Sequence, residues 1–190
     1  MSCSLGITAD ILNDCLMQPI GGTEANIILF NRTDIATVTY ATNKHIVEDI
    51  VLKVGKKGYL HTGFKTSINA GHEAVIAENL PDKFKHSLSF SVWGIDGDTA
   101  KALDNLADIV AIVEMKNKGD EGDGAYQVYG LETGLHKATD TRKANDNMGM
   151  RMIELATLDT QPSTVSYHTF FKTDYAATKV LVDSILVTQT

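Results

Sequence analysis

Apolar and polar residues alternate with period two along much of this chain. The clearest run spans residues 85–93, where Leu88, Phe90 and Val92 alternate with Ser87, Ser89 and Ser91. Successive side chains of a strand point to opposite faces, so this run predicts a strand with one apolar face and one serine face. Residues 25–30 and 109–115 are apolar runs of strand length, the second reading as a buried strand. Residues 35–42 are rich in Thr, Val and Tyr, which favour strands. Residues 46–54 predict another strand, weakened by the Glu48-Asp49 pair. The glycine- and acid-rich stretch 118–124 reads as a turn, after which 125–131 returns as the second arm of a hairpin. Residues 150–158 and 164–171 predict two more strands around a turn at 159–163, and a slip of apolar phase at Met152-Ile153 marks a candidate bulge.

Helical periodicity is scarcer. Asp96 or Asp98 can cap a short helix whose apolar side carries Ala100, Leu103, Leu106 and Ala107 and which ends near Asp108. Asp174 can cap a second helix from Tyr175 to about Leu186, with Ala177, Leu181 and Ile185 on one face. The β-branched Val180, Val182 and Val187 keep a terminal strand open as the alternative. Residues 7–17 suit a short helix or an irregular arm, broken off by Gly21-Gly22, and 74–79 is ambiguous. Residues 55–73 hold Gly55, Gly58, Gly63 and Gly71 with Lys56, Lys57 and Lys65, and read as a long loop or extended hairpin rather than a packed element. On that reading, deleting residues 56–71 leaves the sandwich folded. Residues 136–148 read as a polar, flexible link.

The expected fold is therefore mainly β: an antiparallel sandwich or barrel of seven or eight strands, with one flanking helix and a C-terminal helix. The expected organisation is an N-terminal arm at 1–24, a sandwich domain at 25–172 carrying the loop 55–73, and a helical extension at 173–190. The chain has 190 residues, 43% hydrophobic and 22% charged, enough for a real core without staples.

Charge narrows the function classes. A net charge of −7 argues against tight nucleic-acid binding, which needs Lys and Arg to neutralise phosphates. It suits a surface that DNA slides past. Residues 1–5 carry no basic, apolar leader, and no run approaches the roughly 20 apolar residues of a membrane helix, so synthesis in a cytoplasm is expected. Cys3 and Cys15 match no zinc or redox spacing and read as two thiols.

Candidate chemistry is sparse. There is no G-x-S-x-G elbow, P-loop or G-x-G-x-x-G. His72-Glu73 opens like a zinc-protease helix without its second histidine, and His45, His61, His86, His136 and His168 are scattered. Asp96-Gly97-Asp98 and Asp120-Glu121-Gly122-Asp123 complete no calcium loop, and read as a helix cap and a solvated turn. Lys53, Lys56, Lys57 and Lys65 suit a phosphate, a neighbouring subunit or plain solvation. Asn31-Arg32-Thr33 has the form of a glycosylation triplet but no secretion signal to accompany it. Trp93 is expected in the core. No catalytic, cofactor-binding or metal-binding residue is assigned.

The order of the segments carries a resemblance. Cys3, Cys15 and Gly21-Gly22 precede an apolar strand. The serine-alternating strand, a short helix and Ile109-Val110-Ala111-Ile112-Val113 follow. Then come Tyr126-Gln127-Val128-Tyr129-Gly130-Leu131-Glu132-Thr133-Gly134-Leu135, a polar link, and Gly149-Met150-Arg151-Met152-Ile153-Glu154-Leu155. This order, over most of residues 1–171, resembles the tail-tube and head-to-tail (neck or tail) ring proteins of tailed bacteriophages. Within them it is similar to virion proteins of phages infecting Bacteroides-type hosts. The resemblance implies a non-enzymatic structural protein of the virion, a hexameric or dodecameric ring of identical subunits next to other ring and tail proteins. DNA or cargo protein would pass through its lumen, with no cofactor and no membrane. The reading from another class is a β-barrel that binds a small ligand in a closed interior; a third is an enzyme built from scattered polar residues.

Overall fold

A computed structural model of the chain describes residues 20–64, 66–78, 80–94 and 96–189. Cys3, Cys15 and the segment 7–17, with Lys65, lie outside the described residues. Among the described residues, eleven strands and two α-helices follow one another. They are β1 (Thr23–Asn31), β2 (Ile35–Tyr40), β3 (Ile46–Leu52), β4 (Tyr59–Thr62), β5 (Asn69–Val75) and β6 (Lys83–Val92). After α1 (Gly97–Asp104) come β7 (Ile109–Met115), β8 (Tyr126–Tyr129), β9 (His136–Thr141), β10 (Arg151–Ala156) and β11 (His168–Phe170), and α2 (Tyr175–Ser184) closes the chain.

The strands form two sheets, one of seven strands in the order β2-β3-β11-β8-β7-β1-β4 and one of four in the order β5-β6-β10-β9. Every pairing is antiparallel except β3 with β11, which is parallel. The fold is the expected β-rich sandwich with a flanking and a C-terminal helix; it is not a closed barrel. The apolar faces explain why. Ile27, Leu29, Ala111, Val113 and Tyr129 of the large sheet face Leu88, Phe90, Ile153 and Leu155 of the small one, making one core. Ile28, Phe30, Val110, Ile112 and Val128 point the other way and pack with Val182 and Ile185 of α2, making a second. The central strands β1 and β7 are thus covered on both faces, which is why they read as unbroken apolar runs. The closed interior that the ligand-binding alternative requires is instead filled by Tyr129, Phe90, Leu88 and Leu155, each buried to within a few per cent.

Four expectations need correction. Residues 55–73 are not a loop throughout: β4 pairs with β1, and β5 pairs with β6. The segment crosses from one sheet to the other, with Ile68 buried between them and its carbonyl accepting from the Thr23 hydroxyl. The polar link after Leu135 contains β9, an edge strand pairing with β10. The bulge is not at Met152-Ile153. β10 meets β6 in unbroken register, and the slip is against β9, where Glu154 faces Thr139 and Leu155 faces Lys137, leaving Ala138 as the extra residue. In α2 the buried row is Thr178, Val182 and Ile185, so Ala177 is off the centre of the packed face. Asp96 caps α1 and Asp174 caps α2, each accepting an N–H three residues on.

Candidate functional site: sheet edges and exposed ends

The titratable groups go mostly to structural work. His86 is fully buried on β6; its Nδ1 accepts the Gly130 N–H at 3.0 Å, so Nε2 carries the proton and donates to the Val165 carbonyl at 2.9 Å. His168, also buried, donates from Nδ1 to the Lys44 carbonyl. Burial lowers the pKa of both, and of His61. Glu132 accepts from the Ser163 hydroxyl and from both the N–H and hydroxyl of Thr164. Burial raises its pKa, but these bonds outweigh burial and leave it lowered. Among the described residues, no group of three or more His, Cys, Asp or Glu is placed to hold a metal ion.

The sequence candidates disperse. Asp96 is a helix cap, and Asp120 to Asp123 form a turn whose Glu121 carbonyl accepts the Tyr175 N–H. Lys53 donates to the Thr33 carbonyl, Lys56 pairs with Asp34 at 3.2 Å and Lys57 lies over the Tyr59 ring. The basic stretch is therefore tied back to its own fold rather than gathered round one point. Trp93 is a further correction: it is not core but 56% exposed, its ring 5.1 Å from that of Phe64. Trp93 lies one residue past the end of β6, where the alternation that buries Leu88 and Phe90 no longer holds the chain.

Among the described residues, the edges left without a partner strand differ in kind. The small sheet ends in β5, which carries His72 and Glu73, and in β9, which carries His136, Lys137 and Asp140 with the Ala138 bulge. Charged side chains keep an edge from pairing with another chain. The large sheet ends in β2, Ile-Ala-Thr-Val-Thr-Tyr, and β4, Tyr-Leu-His-Thr, neither with a carboxylate, lysine or arginine. On β4, Tyr59 and Leu60 are more than half exposed. The Gly63 N–H bonds the Ala25 carbonyl, so the alternation of the ladder makes His61 and Tyr59 the residues bonded to β1. The N–H and C=O of Leu60 and Thr62 consequently point outward along the free edge. β2 is bent by two register shifts against β3.

Comparison with family models, curated proteins and solved structures finds no match for this chain. No helix among the described residues is long and apolar enough to cross a membrane.

Proposed function

We propose that the chain is a virion structural subunit that works by assembling, as a ring of a tailed-phage tail tube or head-to-tail connector. One observation supports this most: the two uncharged free edges, β2 and β4, are the opposite edges of the same seven-stranded sheet. An edge of unpaired N–H and C=O groups templates another strand. When β4 of one copy meets β2 of the next, the contact is heterologous, and a heterologous contact closes into a ring when its rotation divides the circle. The large sheets then run on from copy to copy, while the charged edges of the small sheets stay unpaired. The net charge of −7 suits a lumen that repels DNA in transit. The hexameric or dodecameric copy number follows the resemblance alone. The reading assigns no catalytic residue, cofactor or metal.

Size-exclusion chromatography with light scattering, followed by negative-stain microscopy, tests it. Rings or tubes of the purified chain are the expected result. A monodisperse monomer at millimolar concentration, with no rings on the grid, would overturn it.

A further inference from the structure

The two sheets are unequal, seven strands against four, and part of the large sheet's inner face is left over. The register identifies that part. Tyr129 packs against the small sheet, and Gln127, two residues before it, shares its face. Gln127 stands opposite Thr169, and Thr169 opposite Ile46. Ile46, Thr169 and Phe171 therefore lie on the small-sheet side, yet the core between the sheets contains no residue of β3 or β11. A cleft of about 320 Å³ occupies this uncovered corner. Ile46 and Phe171, both half-buried, give it an apolar patch; Ser166, Tyr167 and the turn at Asp123-Gly124 line it further, with the exposed Asn43 beside them. Its frame is fixed. The Thr169 N–H donates to the His45 carbonyl at 2.9 Å, the Gly124 N–H donates to the Lys118 carbonyl at 3.0 Å, and the Tyr167 ring lies 5.6 Å from that of His72. Its polar ends are unused. Among the described residues, the hydroxyls of Ser166, Tyr167 and Thr169 and the carboxylate of Asp123 find no hydrogen-bond partner within the chain. Asn43 Oδ1 accepts the His45 N–H, which leaves the amide both of its own N–H donors. Nearby Glu132, Ser163 and Thr164 differ, because their side chains bond one another.

We infer that this cleft binds a neutral sugar unit, about one ring in size. A sugar hydroxyl both donates and accepts, so a ligand made of hydroxyls matches a wall of three hydroxyls, an amide donor and a carboxylate. The carboxylate accepts from two neighbouring hydroxyls at once. The carbon face of the ring has Ile46 and Phe171 to lie on. The volume is at the low end of the range for small-ligand pockets, about 300–1,000 Å³, which suits one ring rather than a chain. Other ligand classes fit less well. No lysine or arginine lines the cleft, and Asp123 repels an anion. A protonated amine offers only donors and leaves the Asn43 N–H groups without an acceptor. Because backbone bonds preset the wall, little ordering is lost on binding. No residue of β2 or β4 lines the cleft, so the inference stands apart from the ring reading.

Ligand-observed NMR tests it on the full chain. Saturation-transfer difference spectra with glucose, galactose, mannose and N-acetylglucosamine should give signals for at least one sugar, titrating with a Kd of about 1 mM. Asp123→Asn keeps the side chain's shape but replaces one acceptor oxygen by a donor, and should weaken that binding about tenfold. Tyr167→Phe removes only the hydroxyl and should weaken it about threefold. Circular dichroism and the urea midpoint check that both variants fold as the parent does. No signal from any of the four sugars would overturn the inference. Signals that survive both substitutions unchanged would put the sugar elsewhere on the molecule and overturn the assignment to this cleft. Ethanolamine is the competing probe: if it binds, is lost on Asp123→Asn, and no sugar binds, the cleft is an amine site and the inference fails. The readout does not require assembly, so a chain that forms no rings is tested equally, and loss of the ring reading leaves this one standing.

Discussion

At the level of single residues, the most informative group is His86. It joins three segments distant in sequence: β6, the turn at Gly130 and the stretch through Val165. Its neutral tautomer is required, because Nδ1 must keep its lone pair for the Gly130 N–H. Burial holds its pKa below the ordinary histidine value, as it does for His61 and His168. The linkage sign follows. Between the folded and unfolded pKa values the unfolded chain binds more protons, so stability is complete above about pH 6.5 and falls as the pH drops through that window. The carboxylates act lower: Asp140, held at about 2 chiefly by the Arg151 guanidinium, gives up its contribution only below pH 4 or so. Urea unfolding between pH 7.5 and 5 should therefore show stability falling with acid. His86→Gln, which cannot titrate, should flatten part of that slope. His86→Ala should cost about 2–5 kcal/mol at pH 7.5, since it leaves the Gly130 N–H and Val165 carbonyl unpaired and opens a cavity. None of this was readable from the sequence, where His86 is one of six scattered histidines. A polar residue on the apolar face of an alternating strand was the available signal: His86 shares the face of Leu88 and Phe90.

Among the elements, legibility followed the number of covered faces. Strands β1, β6 and β7 announce themselves because burial on one or both faces dictates alternation or an unbroken apolar run. Edge strands bury little and carry no such pattern: β9 reads His-Lys-Ala-Thr-Asp-Thr, and β4 is four residues beside glycines. That is why 55–73 looked like a loop. The structure gives it weight in both sheets. Gly58 packs so closely that a Cβ there would come within about 3 Å of Ile185 and Ile28 side chains. Deleting residues 56–71 should therefore abolish cooperative unfolding and drive the chain into inclusion bodies, whereas a loop deletion would leave the melt intact. The turn between β8 and β9 makes a sharper case. Gly130 has φ +77°, and a Cβ there would lie 2.7 Å from both the Ile109 carbonyl oxygen and Leu135. Gly130→Ala should cost about 2–4 kcal/mol, combining left-handed strain with displaced backbone, measured as a lower urea midpoint at unchanged slope.

For the molecule as a whole, the question is whether its free edges are idle or used, and proline can ask it without disturbing the fold. Proline removes one N–H, and its effect depends on where that N–H points. On β4 the alternation is set by the Gly63 bond to Ala25: the His61 N–H faces β1 and the Thr62 N–H faces outward. Thr62→Pro therefore breaks no bond within one copy, and its extended backbone suits an edge. It should leave the monomer's unfolding midpoint within about 0.5 kcal/mol of the parent while blocking the strand of a neighbour. His61→Pro removes a ladder bond next to the buried Ile27 and should destabilise the monomer by about 3 kcal/mol or more. The same outward proline on β9 should change assembly little, because His136 and the charged Lys137 and Asp140 already close that edge. Light scattering of the three variants beside their melts separates the causes. If β4 joins copies, Thr62→Pro alone gives a stable chain that no longer forms rings, and a β9 proline gives rings as before. If Thr62→Pro still assembles, the large sheet does not continue between copies, and the edge carrying the ring must be sought elsewhere.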